Sequence, residues 1–448
     1  MGPTAGGTRF KAGTTAIHSA PAVIPRSAHT ISRSLISESA LKVLYRLHKS
    51  GFQAHLVGGG VRDLLLGREP KDFDVATDAR PEQVAELFRN ARLIGRRFRL
   101  AHVRYGRDIV EVATFRKGSD PDEDHDGMTV DGDGRLLRDN VYGTIEEDAW
   151  RRDFTVNALY YNIDDFSVLD FVGGRADLDA GVIRLIGDPE RRYREDPVRM
   201  LRAARFAAKL GFTLEKHTEE LIWQLGGLLG DIPPARLFDE VLKLFMTGHA
   251  LQSFEQIRHF RLFGQLFPAT ESALAQEVQH FPITFVARAM ENTDVRIADG
   301  RPVTPAFLFA TLLWEPVRLR AEREMTSEAV PAEVIDRAAD AVLDGQAARV
   351  SIPRRFTSVI REIWRLQPRF EQRNGNRAKR FLTHPRFRAA YDFLLLRAES
   401  GEVEPALAEW WTDLAEGRAE PAPIEADGPK RRNRRRRRRR KPAAESGS

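Results

Sequence analysis

The 448-residue sequence contains no cysteine and has no long apolar run. The absence of cysteine excludes disulfide bonds and thiolate metal ligands, and it fits a reducing compartment. The most apolar stretch, PAFLFATLLW at 305–314, is too short to cross a bilayer and predicts a buried helix. The first 34 residues also lack the apolar core of a signal peptide. We therefore expect a cytoplasmic protein of two or three domains.

The positive charge of the chain is concentrated in one run. KRRNRRRRRRRK at 430–441 holds 11 basic residues, and the rest of the chain carries 59 basic against 64 acidic residues. A run this dense repels itself and is expected to be disordered, and arginine suits phosphate groups. We expect it to bind nucleic acid, with a nonspecific solubility tail as the alternative. The arginines concerned are Arg431, Arg432, Arg434, Arg435, Arg436, Arg437, Arg438, Arg439 and Arg440.

The order of apolar patterns predicts a mixed α/β unit followed by helices. Between residues 37 and 116, amphipathic helical stretches alternate with short β-type stretches, and from about Arg191 onward the apolar spacing is helical. The segment 117–137 is acidic, glycine-rich and poorly apolar, which predicts a mobile loop. Its spacing does not fit an EF-hand, because no glutamate closes a twelve-residue loop.

Two carboxylates share one face of a predicted strand in KDFDVAT, residues 71–77. Side chains at i and i+2 point the same way, so Asp72 and Asp74 lie together while Phe73 and Val75 point into the core. Paired carboxylates of this kind repel unless a cation lies between them, which makes them candidates for a divalent metal, with magnesium favoured by oxygen ligands. Taken alone, the pair also fits a solvated strand end.

A glycine-rich turn precedes this pair by about a dozen residues. VGGGVRD places Gly58 and Gly59 between a predicted strand and a helix start, where backbone N–H groups can approach a phosphate, and Arg62 is a candidate for the same phosphates. The alternative is a simple tight turn. Downstream, RDIVEVATF alternates so that Glu111 is a third carboxylate that a neighbouring strand can bring beside the aspartates, unless it is an ordinary exposed residue.

These segments together resemble the class II nucleotidyltransferases of the polymerase-β type, which include bacterial poly(A) polymerases and CCA-adding tRNA nucleotidyltransferases. GGGVRDLLLGREPKDFDVAT resembles their first signature, and RRDFTVNAL at 151–159, DFVGGRADL at 170–178, EDPVRMLRAARFAAKLGF at 195–212 and PARLFDE at 234–240 resemble the later ones. The resemblance covers about residues 35–415. It implies a disordered segment at 1–34, an α/β catalytic head at 35–175, a helical neck for base recognition at 176–250, a helical RNA-binding body at 251–415 and a disordered basic tail at 416–448.

The resemblance also implies roles for individual residues. Asp72 and Asp74, with Glu111, would hold two Mg²⁺ ions, or Mn²⁺, for in-line phosphoryl transfer from ATP to an RNA 3′-hydroxyl. Asp153 would complete the catalytic site. The residues implied to bind the nucleotide or its triphosphate are Gly58, Gly59, Arg62, Arg151, Arg152, Asn157, Asp196, Arg199, Arg202 and Arg205.

The base of the incoming nucleotide is implied to meet one pair. Asp196 and Arg199 are three residues apart, so on a helix they face the same edge of a planar ligand, and Arg202 and Arg205 continue that face. The alternative is a salt-bridged helix surface.

LIGRRFRLAHV at 93–103 and the arginine run favour the poly(A) polymerases within the family. The implied function is template-independent addition of AMP from ATP to the 3′ ends of mRNA, small and antisense RNAs, which promotes RNA turnover. The implied partners are RNA-degradation machinery and RNA chaperones, and the implied state is a monomer. The alternatives are CCA addition to tRNA and a non-catalytic RNA-binding protein.

Deletion of residues 430–441 tests the role of the arginine run. Each phosphate neutralised on a single strand contributes about 0.7 to the slope of log K against log salt, so the truncated chain should bind RNA more weakly at moderate salt and make shorter tails. Turnover on saturating RNA should change little. Equal affinities of the two chains at several salt concentrations would contradict this role.

Overall fold

The computed structural model describes residues 20–95, 99–117, 128–130, 136–139, 141–278, 281–282, 284–418 and 420. The described residues form two compact units. The first contains those up to Ser272 together with Met290–Val303 and Gly345–Ile352, and the second contains Ala273–Ala289, Thr304–Asp344 and the residues from Pro353 onward. The boundaries between head, neck and body stay a prediction, and both the 1–19 segment and the arginine run lie outside the described residues.

An eight-stranded mixed sheet is the centre of the first unit. Its strands are β1 Ala22–Ile24, β2 Ala54–Val57, β3 Asp74–Thr77, β4 Ala91–Ile94, β5 Leu100–Tyr105, β6 Asp108–Thr114, β9 Leu159–Asn162 and β10 Val168–Asp170, in the order β1-β10-β9-β2-β3-β6-β5-β4. Neighbouring strands are antiparallel except β3 and β6, which are parallel. Smaller sheets pair β7 Met128–Val130 with β8 Leu136–Asp139, and β11 Val182–Ile183 with β12 Thr213–Leu214.

Twelve helices of the described chain accompany this unit or reach its boundary. They are α1 Glu38–Lys49, α2 Gly59–Leu65, α3 Pro81–Leu87, α4 Ile145–Trp150, α5 Gly174–Ala180, α6 Pro189–Glu195, α7 Val198–Leu210, α8 Lys216–Leu225, α9 Pro234–Phe245, α10 Ala250–His259, α11 Phe263–Leu266 and α12 Pro268–Leu274. The structure confirms the predicted order of elements, an α/β head followed by helices.

Helix α1 illustrates why the predicted elements form where they do. The Ser37 hydroxyl accepts a hydrogen bond from the Ala40 amide and caps the first turn. Val43, Leu44 and Leu47 are buried on the inner face. The helix ends at Gly51, whose φ of 84° is a left-handed conformation that favours glycine.

The second unit is built largely from helices. These and the remaining elements are α13 Phe285–Ala298, α14 Pro305–Leu312, α15 Trp314–Glu324, α16 Pro331–Ala347, α17 Arg354–Arg365, α18 Gly375–Leu382, α19 Phe387–Glu399, α20 Pro405–Ala415 and the short strands β13 Glu277–Val278 and β14 Phe281–Pro282. The part of α13 from Met290 onward and the part of α16 from Gly345 onward belong to the first unit. One core cluster surrounds Trp411, whose indole donates to the Phe370 carbonyl at 2.8 Å. The apolar stretch predicted to be a buried helix is α14, with Leu308 and Phe309 fully buried.

Three details of the sequence prediction differ from the structure. The segment predicted to be disordered at 1–34 contains β1, which pairs with β10 at the edge of the main sheet. Strand β3 begins at Asp74, so Asp72 lies in the segment that leads into it. The 117–137 segment is not a loop throughout, because β7 lies within it and pairs with β8; its residues 118–127 and 131–135 lie outside the described chain. Of the helices described, none has the length and apolarity to cross a membrane.

His55 supplies a pH test of the core. It lies on β2 between the rings of Phe115 and Tyr160, and its buried Nδ1 has no hydrogen-bond partner. Burial lowers the pKa of His55 to about 4. As the pH falls from 6.5 toward 4, the imidazole is therefore protonated in the unfolded chain before it is protonated in the folded chain. The free energy of unfolding decreases over this range by up to about 3 kcal/mol.

The His55→Phe variant should therefore lose less stability than the wild type between pH 7 and pH 4.5. Chemical denaturation at several pH values measures the difference between the two chains, and groups common to both cancel. Parallel pH profiles for the two chains would show that His55 does not resist protonation.

Candidate active site

Two carboxylate residues lie side by side on β3 and β6, and a third lies just before β3. Phe73 and Val75 are buried while Asp72 and Asp74 face solvent, as the alternation predicts. The parallel register pairs Asp74 with Glu111, which confirms that a neighbouring strand brings this carboxylate beside the aspartates. His102 of β5 follows in the same row, with its Nε2 atom 3.5 Å from Glu111 Oε2.

The electrostatics of Asp74 reflect this crowding. Its carboxylate reaches solvent but is surrounded by protein, and this loss of hydration raises its pKa to about 6. Glu111 and Asp72 add repulsion, while Arg152 and His102 oppose it. A carboxylate whose charge is costly in this way is stabilised by a proton or a cation. This donor set therefore fits a divalent cation.

The glycine turn packs against the backbone of Asp72 and against Arg152. Gly58 has a φ of 73° and begins α2. A Cβ atom at Gly60 would lie 3.4 Å from the Asp72 carbonyl oxygen, and one at Gly58 would lie 3.7 Å from Arg152 Nη1. The turn, the backbone of Asp72 and the Arg152 guanidinium are thus neighbours, which the spacing in the sequence only suggested.

Arg152 is held by a buried polar network. Its guanidinium donates to Asp148 Oδ2 at 3.0 Å and to the Tyr160 hydroxyl at 2.8 Å, and Arg151 donates to the other Asp148 oxygen at 2.8 Å. Burial alone would raise the pKa of Asp148, but the two arginines lower it to about 2. Arg152 therefore keeps a fixed position beside the glycine turn.

Asp153 contacts helix α7 through Arg202. Its Oδ2 atom accepts from Arg202 Nε at 2.8 Å, and its Oδ1 atom accepts from the Phe154 amide at 2.8 Å and from the Asn157 side chain at 3.4 Å. Burial raises the pKa of Asp153, yet Arg202 and these hydrogen bonds outweigh that effect and lower it to about 2. Asp153, Asn157 and Arg202 thus form one cluster.

Arg62 extends this cluster from the glycine turn. It is 2% exposed, it stacks on the Phe206 ring, and its guanidinium donates to Asn157 Oδ1 at 2.6 Å and to Asp63 Oδ1 at 2.7 Å. This geometry favours a role in holding α2 against the 151–159 segment. Its predicted phosphate contact stays a prediction.

The base-recognition pair is arranged differently from the sequence prediction. Asp196 does not lie on a helix with Arg199, because α6 ends at Glu195, Pro197 follows Asp196 and α7 begins at Val198. The Asp196 carboxylate accepts from Arg236 of α9 at 2.7 Å. Arg199 turns instead to Glu195 Oε2, at 3.0 Å.

No sequence pattern predicts that several of these residues belong to the site. Asp148, Arg192 and Arg236 have ordinary contexts, although Arg192 donates to the Arg151 carbonyl at 2.7 Å and anchors that segment. His102 is different: a hairpin turning at Tyr-Gly-Arg places residue 102 opposite residue 111, so its contact with Glu111 follows from the predicted strands.

Arg205 stacks on Phe206, and its buried Nε has no partner.

Within the described residues, no three His, Asp or Glu side chains stand close enough to form a complete metal site by themselves. Mg²⁺ usually binds through only one or two carboxylates, with waters and substrate phosphates as the other ligands. The arrangement is therefore that of a nucleotidyltransferase, in which carboxylates beside a glycine turn face a nucleotide triphosphate.

Comparison with known proteins identifies the branch. The family models that match are "Poly A polymerase head domain" over residues 54–184, "Probable RNA and SrmB- binding site of polymerase A" over 211–274 and "Polymerase A arginine-rich C-terminus" over 327–442. The chain is 51% identical to "Poly(A) polymerase I" of Salmonella typhi over 397 residues, which covers 88% of this chain and 85% of that protein. The chain belongs to the bacterial poly(A) polymerase I family.

The tRNA enzymes are more distant. The "CCA-adding enzyme" of Bacillus subtilis is 39% identical over 227 residues, which is 51% of this chain and 55% of that protein. A solved "tRNA nucleotidyltransferase complexed with a primer tRNA and an incoming ATP analog" shares the fold, with a TM-score of 0.56 and 24% identity over 84% of this chain and 99% of that one. The family implies a divalent metal and a nucleotide substrate.

A double-mutant cycle tests the Asp153–Arg202 pair. Arg202→Gln leaves a largely buried carboxylate without its cation, so it should cost about 3 kcal/mol of unfolding free energy, the low end for a buried pair because Arg202 is partly exposed. Asp153→Asn with Arg202→Gln should cost less than the sum of the single variants, with a coupling of at least about 1 kcal/mol.

The pH dependence of the same variants provides a second readout. A carboxyl group with a lowered pKa contributes stability that is full above its unfolded value of about 3.9 and is lost as the pH falls through about 2. In Arg202→Gln the burial of Asp153 is no longer offset by the guanidinium, so its folded pKa rises and the stability lost on acidification should be smaller than in the wild type. Additive free energies in urea unfolding would show that the two side chains do not interact.

Proposed function

We propose that the site at Asp72, Asp74 and Glu111 adds AMP from ATP to RNA 3′ ends without a template. The observation that carries the proposal is the side-by-side placement of Asp74 and Glu111 in parallel strands, with Asp72 and the glycine turn in contact. Two Mg²⁺ ions held by these carboxylates would supply a lowered pKa for the RNA 3′-hydroxyl and charge neutralisation for the triphosphate.

The residues around the carboxylates have distinct tasks in this proposal. Arg152 is fixed by Asp148 and Tyr160 and faces the glycine turn, so it is suited to a triphosphate oxygen. Asp74 and Glu111 present oxygen ligands that a cation stabilises. Reaction of the 3′-hydroxyl with the α-phosphorus forms a new phosphodiester and releases pyrophosphate.

Nucleotide choice is assigned to the neck. Asp196 presents its carboxylate beside Arg236, and Arg199 follows at the start of α7. A hydrogen-bonding carboxylate held rigidly by an arginine is suited to reading the edge of a base, because its orientation is fixed before the nucleotide arrives. One hydrogen-bonded cluster supports this arrangement by joining the head segment at 151–159 to α7. Its members are Asp153, Asn157, Arg202 and Arg62.

The proposal extends to the cellular setting. The chain acts as a monomer in the cytoplasm, where RNA and ATP are both present, and its tails promote RNA turnover by degradation machinery with the help of RNA chaperones. The support is the similarity to bacterial poly(A) polymerases over most of the chain. CCA addition is the second candidate, since the tRNA enzymes match about half of the chain. A non-catalytic RNA-binding protein has no chemical need for the carboxylate set.

Extension of an unstructured RNA with ATP alone tests the function. Long A tails are expected, and CTP should support little addition. Asp74→Asn and Asp72→Ala should abolish addition, because each removes a carboxylate of the site, while RNA binding stays nearly intact. Asp164→Asn is the matched control, since Asp164 is an exposed carboxylate of the same unit.

Two results would contradict the proposal. Arrest after one or two added residues would favour CCA addition, which requires CTP before ATP. Normal extension by Asp74→Asn would show that the reaction does not use this carboxylate site. Loss of RNA binding together with activity in the Asp74 variant would point to a folding defect, which the circular dichroism spectrum of that variant distinguishes.

A further inference from the structure

Three side chains that can stack on flat rings lie together on the surface of the first unit. Trp223 of α8 is 42% exposed, and the His259 ring meets it at 5.2 Å between centroids. The Arg261 guanidinium lies 5.5 Å from the centre of the same indole. His259 and Arg261 are exposed as well, whereas Phe260 beneath them is buried and packs against Trp223. We call Trp223, His259 and Arg261 the stacking cluster.

Arg261 occupies a backbone position that favours glycine. Its φ is 58°, and it ends α10 in a double hydrogen-bonded turn in which the Arg261 amide donates to the Arg258 carbonyl and the Leu262 amide donates to the Ile257 carbonyl. The left-handed conformation is unfavourable for any residue with a Cβ atom. An arginine here therefore indicates that the side chain itself has a use.

Other helices of the same chain provide the comparison. The equivalent turn after α1, α2 and α13 holds Gly51, Gly67 and Gly300, each with a positive φ and the same pair of backbone hydrogen bonds. Within the described residues, only Arg261 and Phe166 adopt a positive φ without being glycine. Arginine thus stands where this chain otherwise uses glycine.

We propose that the stacking cluster binds single-stranded RNA by stacking on its bases. Indole, imidazole and guanidinium planes are the groups on which proteins stack unpaired bases, and stacking tolerates any sequence. The inference rests on the proposed function, which makes RNA the substrate. The cluster also lies within residues 211–274, which match the family model described as a probable RNA and SrmB-binding site.

The composition of the cluster favours RNA over a protein partner. The core of a protein interface is mostly apolar, with arginine as the charged residue that is enriched there. Here Trp223 is flanked by an exposed imidazole and an exposed guanidinium rather than by apolar side chains. Planar polar groups and a guanidinium beside an aromatic ring match an RNA strand, whose bases stack and whose phosphates are negative.

Binding without ATP tests the proposal independently of nucleotidyl transfer. The probe is a fluorescent oligoadenylate of about 15 nucleotides, within the usual site sizes for such proteins, and a matching strand that lacks bases. Trp223→Leu keeps an apolar side chain but removes the ring, so its Kd for oligoadenylate should rise about 5-fold or more. Trp223→Phe keeps a ring and should stay within about 3-fold of the wild type.

Arg261→Gly separates binding from folding. Glycine suits the left-handed position, so the melting temperature should stay unchanged or rise, while RNA affinity falls. Lys216→Ala is the charge control. Lys216 is exposed at the start of α8, and this substitution removes one positive charge, as Arg261→Gly does. It should alter the salt slope by no more than about 0.7 and leave the preference for strands with bases intact.

The outcomes either support or overturn the proposal. A smaller preference for oligoadenylate over the base-free strand in Trp223→Leu and Arg261→Gly supports it. Wild-type affinity of both variants at every salt concentration overturns it, as does an equal loss on both strands, which would mean charge attraction alone. Loss of a protein partner with unchanged RNA binding also overturns it. A chain that shows Trp223-dependent RNA binding but adds no AMP would refute the proposed function and leave this inference standing.

Discussion

The placement of Asp74 beside Glu111 is the constraint around which this site is organised. Adjacent strands lie about 4.8 Å apart, and the parallel register keeps these two residues next to each other. Loss of hydration is the largest cause of the raised pKa of Asp74, and repulsion from Glu111 adds to it. The pair persists because β3 lies inside the sheet with Val75 and Ala76 buried, so neither strand can move away. A cation bound by these carboxylates would offset both effects.

Most of the arginines near the site hold protein groups in place. Arg152 and Arg151 share Asp148, Arg202 holds Asp153, and Arg236 holds Asp196. Each pair links a different segment: the first lies within the head, the second joins the head to α7, and the third joins the start of α7 to α9. Positive charge in this region is thus largely a means of orienting carboxylates, and Arg152 also faces the glycine turn.

Local patterns in the sequence predicted much of this arrangement. The alternation of Asp72, Phe73, Asp74 and Val75 fixed which side chains are buried, and the hairpin before Glu111 fixed its face, because a strand has a period of two. The parallel register that sets Glu111 opposite Asp74 depends on residues far apart in the chain, so local alternation suggests but does not determine it. Asp196 was misplaced because the helical spacing continues across Pro197, where the backbone breaks. The burial of Arg62 depends on Asn157, which is 95 residues away.

The shared fold does not by itself decide which nucleotides are added. The solved tRNA enzyme matches 84% of this chain in fold at 24% identity, whereas the Salmonella typhi poly(A) polymerase matches 88% of it at 51% identity. A shared fold leaves open how each protein holds RNA and reads the base, because function depends on the site and not on the fold. A tRNA enzyme binds a folded shape, but an enzyme that extends many RNAs needs contacts that every strand offers, namely phosphates and base faces. Arg261, an exposed guanidinium at a backbone position suited to glycine, is able to offer such a contact.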